Sequence, residues 1–213
     1  MAARRGFFVS FEGGDGAGKS TQIHRLAELL RRRGSIVRVT REPGGSAGAE
    51  AIRKLLVAGD TDRWSPLAEA LLMYAARADH FDRTIRPALE AGEIVITDRF
   101  ADSTMAYQGI AGGVGEDRIK ILHDLVIGAD DPDLTVILDV PTDIGLSRAG
   151  GRGDSESRFE RKGAAFQIAV REAFLKIARD NPARCVVIDA ANDVDTVAAG
   201  VAAAFDAAWR LRR

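Results

Sequence analysis

The run Gly6-Phe7-Phe8-Val9-Ser10-Phe11, closed by Glu12, leads directly into Gly13-Gly14-Asp15-Gly16-Ala17-Gly18-Lys19-Ser20. The first segment reads as a buried strand. The second opens a helical pattern over Lys19–Arg33, apolar at Ile23, Leu26, Ala27 and Leu30. The eight residues match G-x-x-x-x-G-K-[ST], and a preceding strand with a following helix is the context that motif requires. Its glycines let successive backbone N–H groups turn inward around a phosphate, and the helix N-terminus adds a positive dipole. On this reading residues 13–20 and Thr21 cradle ATP. Lys19 reaches the β/γ-phosphates and the Ser20 hydroxyl ligates Mg²⁺.

Working outward, short apolar runs alternate with longer helical patterns. Strands are expected at Ile36–Thr40, Ile94–Thr97, Leu134–Val140 and Cys185–Asp189. Helices are expected at Ala49–Ala58, from Pro66 to about Ala91 with a kink or restart at Pro87, at Glu116–Ile127, over 142–148 and 156–180, and at Val194–Leu211. Five apolar strands separated by helices imply an α/β fold, a parallel sheet covered on both faces. Such sheets bind ligands beyond the carboxyl ends of their strands.

At 213 residues the chain fits one domain, since domains average roughly 150 residues, with a small lid about 149–162. Thirty Lys+Arg against 31 Asp+Glu argue against a dedicated nucleic-acid binder. The triple arginine Arg31-Arg32-Arg33 beside Gly34 suits a helix end rather than a nucleic-acid patch. The lone Cys185 fits a reducing compartment. The apolar run after Arg4-Arg5 is too short for a signal peptide, and no membrane-spanning window of about 18 apolar residues occurs. A cytoplasmic protein is expected. Fifteen of the 22 glycines fall in 13–18, 44–48, 109–115 and 145–153, so these clusters carry the question of function.

Transfer between two phosphates needs cations beyond Lys19 and Mg²⁺. The second strand runs into Arg41-Glu42-Pro43-Gly44-Gly45 and the third into Asp98-Arg99. Arg99 suits bidentate phosphate binding, and Asp98 would hold Mg²⁺ through water. Each arginine could instead pair with its acidic neighbour. Asp139, ending the fourth strand, is an equal candidate at the metal. In the helix from Pro66, Leu67, Leu71, Tyr74, Ala78, Phe81 and Ile85 form the expected core stripe. Met73, Arg77 and His80 lie on another face, which taken alone reads as solvated. His24 and His123 suggest no catalytic part. The glycine-rich stretch 149–156 carries Arg152 between Arg148 and Arg158, a basic loop able to close over a nucleotide. The dipeptide Asn-Lys of a guanine reader does not occur, which turns the reading from a GTPase switch to a small nucleotide kinase.

Taken together, the loop at 13–20, Arg41–Gly45, the run Asp98-Arg99-Phe100-Ala101-Asp102-Ser103-Thr104-Met105-Ala106-Tyr107-Gln108-Gly109 and the arginine-rich lid resemble bacterial thymidylate kinases, over essentially the whole chain. The third motif is the most specific. The resemblance implies MgATP-dependent phosphorylation of dTMP to dTDP by a homodimer. It implies that Asp15 contacts the acceptor 3′-hydroxyl, and that Arg53 and Arg99 hold the dTMP phosphate. Glu42 lies in the acceptor loop, Arg77 bonds the thymine edge, and Ser103, Thr104 and Gln108 fall near the nucleotide. Tyr107 crowds the 2′ position and disfavours ribose.

Two positions depart from the family pattern. Met73 replaces an aromatic that usually stacks on thymine, although a thioether side chain still offers an apolar cover. Gly16 stands where one subgroup places an arginine, so a lid arginine takes that part: Arg152 first, with Arg148 or Arg158 as alternatives. Another monophosphate or deoxynucleoside kinase, or a non-catalytic nucleotide-binding module, are the rival readings.

Overall fold

The computed structural model describes residues 5–150 and 158–212. Strands β1 (Phe7–Glu12), β2 (Val37–Arg41), β3 (Ile94–Asp98), β4 (Leu134–Asp139) and β5 (Cys185–Asp189) form one parallel sheet in the order β2-β3-β1-β4-β5. The helices are α1 (Lys19–Arg32), α2 (Ala47–Val57), α3 (Pro66–His80), α4 (Arg86–Glu90), α5 (Ala101–Thr104), α6 (Glu116–Val126), α7 (Thr142–Gly150), α8 (Ala164–Asp180) and α9 (Val194–Leu211). The fold is that of P-loop nucleotide-binding proteins.

All six residues of β1 are buried, as a central strand covered on both faces demands. Its side chains alternate. Phe7, Val9 and Phe11 pack with Ile23, Leu26 and Leu30 of α1 and Val197, Val201 and Phe205 of α9. Phe8 points the other way, into Phe81, Ile85, Leu89 and Phe100. The same alternation sends Glu12 to that second face, where the start of α5 lies. Register then fixes the functional edge: Asp98 stands beside Phe11 and Arg41 at the carboxyl ends of their strands.

The restart expected at Pro87 occurs, and other expectations change. The helix from Pro66 passes through a π-helical turn at Phe81–Ile85 and resumes as α4, with Pro87 in the first turn. Proline has no N–H to return to the preceding turn, and the ladder slips by one residue. The helix expected over 156–180 begins only at Ala164, because Gly163 adopts φ 88°, a left-handed conformation outside any helix, after a short 3₁₀ turn at Glu160–Lys162. The run after Arg99, read above as a motif without an element, is α5 continued by a π-helical turn at Met105–Ile110.

The expected core stripe from Pro66 holds at Tyr74, Phe81 and Ile85 but fails in its first turns. Leu67 and Leu71 are 42% and 49% exposed, whereas Glu69, Arg77 and His80 are buried with Ala70, Tyr74 and Ala76. Burial here follows hydrogen bonding rather than hydrophobicity, since each buried charge meets a partner from another element.

Helix α7 closes tightly over the phosphate loop. Gly16 has φ 75°, and a Cβ there would sit 2.0 Å from the Gly145 carbonyl oxygen. Glycine is therefore required at this position. Gly16→Ala is expected to lower unfolding stability by about 1–3 kcal/mol. Urea midpoints measure this, and an unchanged midpoint would refute the clash.

Candidate active site

The loop between β1 and α1 holds Gly13 to Ser20, with Gly18 in the left-handed region at the start of α1. Lys19 is buried and donates to the carbonyls of Gly13 at 3.1 Å and Gly14 at 2.8 Å. Burial, then the neighbouring Arg99 cation, pushes its pKa down to about 8, against the opposing pull of Asp98, Asp15 and Glu12. A phosphate anion entering here would supply the charge this ammonium lacks. Thr21 lies exposed in the first turn of α1. The Ser20 hydroxyl donates to Asp98 Oδ2 at 3.2 Å. Asp139 is differently occupied, since Arg171 grips both its oxygens at 2.7 and 2.8 Å.

Arg99, directly after β3, adopts an unusual backbone state, φ 69°, without being glycine. Its N–H donates to the Phe11 carbonyl, and the Thr97 hydroxyl donates to its own carbonyl. Such a conformation costs about 1–3 kcal/mol and persists where surrounding bonds enforce it. It turns the guanidinium back to the phosphate loop. Nη1 donates to the Gly13 carbonyl (3.0 Å) and Ser103 Oγ (3.1 Å), while Nη2 donates to Asp15 Oδ1 (2.7 Å) and the Tyr107 hydroxyl (3.2 Å). Neither arginine pairs with its chain neighbour: Arg41 meets Glu50, and Glu42 is taken by Arg77 and His80.

Arg77 is 2% exposed. Nε donates to Glu42 Oε2 at 2.7 Å, and Nη2 donates to the Phe100 carbonyl and to Thr104 Oγ1, both at 3.0 Å. The guanidinium lies between the Tyr74 and Phe100 rings, 4.6 and 5.2 Å from their centres. Among the described residues its Nη1 has no partner. His80, fully buried, bonds Glu42 Oε1 at 3.0 Å and Thr40 Oγ1 at 2.7 Å, completing the clamp. The face expected to be solvated is thus the wall of a site.

One cleft brings together Asp15, Glu42, Arg53, Met73, Arg77, Arg99, Ser103, Thr104, Tyr107 and Gln108, together with Asp98. Arg53 there donates to the Pro43 carbonyl at 2.7 Å, across the cis Glu42–Pro43 bond. Tyr107 is held edge-on by Phe159, Phe166 and Phe174, with ring centres about 6 Å apart. Phe159, which sequence reasoning did not single out, also lines the cleft.

The lid arginines divide. Arg152 lies outside the described residues. Arg148 donates to the Ala190 carbonyl just past β5, at 3.0 Å. Arg158, expected near ATP, is instead fully buried. It donates to the carbonyls of Leu56, Asp60 and Thr61 and to the Glu69 carboxylate. With these partners its fork is turned inward, away from phosphate. The signal for this was its distance from the glycines of the lid: it sits beside Phe159, an apolar anchor.

Glu12 was also missed. Its two oxygens accept from the Phe100 N–H at 2.7 Å and the Ser103 hydroxyl at 2.6 Å, so it fixes the turn that carries Arg99. A carboxylate closing a buried, largely apolar strand was the available signal, because a buried acid needs a partner.

A phosphate-binding loop at the end of the central strand, facing an arginine-lined cleft over the same sheet edge, defines a P-loop nucleotide kinase. Comparison narrows the class. The thymidylate kinase family pattern matches residues 11–201, and the chain belongs to that family, the nucleoside monophosphate kinases that act on thymidylate. It is 58% identical over 197 residues to thymidylate kinase of Caulobacter vibrioides, covering 92% of this chain and 94% of that one. It is 55% identical over 198 residues to that of Dinoroseobacter shibae, covering 93% and 95%. A crystal structure of thymidylate kinase from Ehrlichia chaffeensis superposes with TM-score 0.76 at 38% identity, over 95% of this chain and 99% of that one.

Burial, then Asp102, pushes Glu12 up to about 7, against the bonds from Ser103 and Phe100 and the charge of Arg99. The folded state therefore binds this proton more tightly than the unfolded chain. Stability from this group is complete below pH 4.5 and declines as pH rises through 7. Relative to Glu12→Gln, the wild type should lose up to about 3 kcal/mol across that window. Parallel slopes of urea stability against pH for the two proteins would contradict this.

Proposed function

We propose that the chain transfers the γ-phosphoryl group of ATP to dTMP, giving dTDP and ADP, as one kinase domain with a lid about 149–162. The observation that carries the acceptor is the unpartnered Nη1 of Arg77. A buried donor without a partner costs about 1–3 kcal/mol, and a base carbonyl in the cleft would satisfy it. Met73 then covers the ring as an apolar surface, and Tyr107, immobilised by its aromatic neighbours, leaves little room beside the sugar. Arg53 and Arg99 hold the acceptor phosphate, and Asp15 meets the 3′-hydroxyl. Arg99 bonds both the loop carbonyl of Gly13 and Asp15, so acceptor and donor phosphates are registered by the same side chain. Alignment of two bound reactants is worth about 7–11 kcal/mol.

The residues fit Mg²⁺. Ser20 and Asp98 form an all-oxygen pair within hydrogen-bonding distance, the donor type a hard cation selects. When bound, the ion would neutralise charge on the β/γ-phosphate oxygens. Asp98 is assigned this part over Asp139, whose oxygens are engaged by Arg171. Lys19 carries the remaining phosphate charge, and Arg152 from the lid is assigned to the transferring group, with Arg148 at the nucleotide edge.

A homodimer is proposed on different grounds. Leu67 and Leu71 of α3 lie exposed, as do Leu55 of α2 and Ile121 and Leu125 of α6, and α3 packs against both other helices. Clustered exposed leucines mark an association surface. A cytoplasmic location accords with the single buried thiol of Cys185. Among the described residues no helix is long and apolar enough to cross a membrane.

ADP release should be measured across dTMP, dUMP, dCMP, dGMP, AMP and UMP. The highest kcat/KM is expected with dTMP, and an equal or better alternative acceptor would overturn the assignment. Leu71→Glu with Leu125→Glu should shift the mass in light scattering from dimer to monomer. A wild-type monomer at micromolar concentration would remove the dimer from the proposal.

A further inference from the structure

Glu69 lies in the first turn of α3 and is 1% exposed. Three donors converge on its carboxylate from two distant segments. Gln108 Nε2 donates to Oε1 at 2.8 Å, Lys162 Nζ donates to the same oxygen at 3.1 Å, and Arg158 Nη1 donates to Oε2. An ionised carboxylate offers only acceptors, whereas a glutamine amide offers either polarity according to its flip. Glu69 therefore compels Gln108 to turn its NH₂ inward. That leaves the amide carbonyl to the cleft, which Gln108 lines. One helical turn earlier, Thr104 accepts from Arg77 Nη2 and so holds the Arg77 guanidinium, with its open Nη1, on the same wall.

The wall thus presents an acceptor from Gln108 and a donor from Arg77. A pyrimidine-2,4-dione offers the complement, an N3–H donor beside a C4 carbonyl acceptor. Cytosine inverts both, with a bare N3 and an exocyclic amine. We propose that Glu69 is a positioning residue that sets the polarity of the base reader, and so discriminates thymine and uracil from cytosine without touching them. The inference rests on the acceptor reading above. Arg158 and Lys162 neutralise the buried carboxylate, which accounts for the inward course of Arg158.

The test is the ratio of kcat/KM for dTMP to that for dCMP. In Glu69→Gln the partner of Gln108 can donate as well as accept, and the amide is free to flip. The ratio should fall at least tenfold, with KM rising for dTMP and falling for dCMP, while KM for ATP stays put. Glu69→Asp keeps the acceptor-only chemistry and should restore most of the ratio. A structural role alone would raise both acceptor KM values together, and that outcome overturns the proposal, as does a folded Glu69→Gln protein whose ratio is unchanged. Should Glu69→Gln not fold, Gln108→Met removes the acceptor while Glu69 keeps both cations. Loss of the ratio is again expected, and its retention overturns the proposal. A wild-type ratio near one overturns the acceptor reading itself and this inference with it. A high wild-type ratio that survives Glu69→Gln overturns this inference alone.

Discussion

Arg99 occupies the point where the two halves of the site meet, and its geometry is imposed from several directions. The backbone is left-handed, the N–H is bound to the end of β1, and the guanidinium bridges the Gly13 carbonyl and Asp15. Glu12 completes the constraint from beneath by accepting from Phe100 and Ser103. Loosening any one of these frees the chain after β3. The acceptor wall, built on α5 and its π-helical extension, would then lose its register with the phosphate loop. A parallel sheet with β3 beside β1 is what makes this bridge short enough to form.

Acidic partners prepare the cations of this site. Glu42 clamps Arg77 from one side while His80 holds Glu42 from the other, and Asp15 holds Arg99. Each pair carries a desolvation cost that mutual attraction alone need not offset. What the pairs supply is direction: a guanidinium with one edge fixed presents its remaining edge to a ligand at a set angle, with little reorganisation left to occur on binding. The orphaned Nη1 of Arg77 is the visible product of that arrangement.

The legibility of these features in the sequence follows from their range. The phosphate loop is read from eight contiguous residues because its chemistry is backbone chemistry, carried by glycines that only the local chain determines. The inner strands β1, β3 and β4 were legible because burial on both faces leaves continuous apolar runs, whereas the edge strands β2 and β5 are largely exposed. The buried charges were not. Arg77 meets Glu42 at a separation of 35 residues, Glu12 meets Phe100 at 88, and Arg158 meets Glu69 at 89. No periodicity records such pairs, so hydrophobic spacing placed Leu67 and Leu71 inside and Arg77 outside. Resemblance singled out Arg77, which lines the cleft, yet it supplied neither His80 nor Glu12, whose contacts are structural consequences of the fold.

The near-neutral composition acquires a different meaning from this. A net charge of −1 conceals four cleft arginines, Arg41, Arg53, Arg77 and Arg99, with Lys19 beside them. Were these cations unpaired, their repulsion would strain the empty site and depress Lys19 further than burial and Arg99 already do. The acids that neutralise them cannot simply be removed to strengthen phosphate binding, because each also sets an angle. Local positive potential toward the ligand and global neutrality are therefore one design. Asp15 and Glu42 line the cleft beside the arginines they hold, and Asp98 lines it with them, so the neutralising charge lies within the site itself.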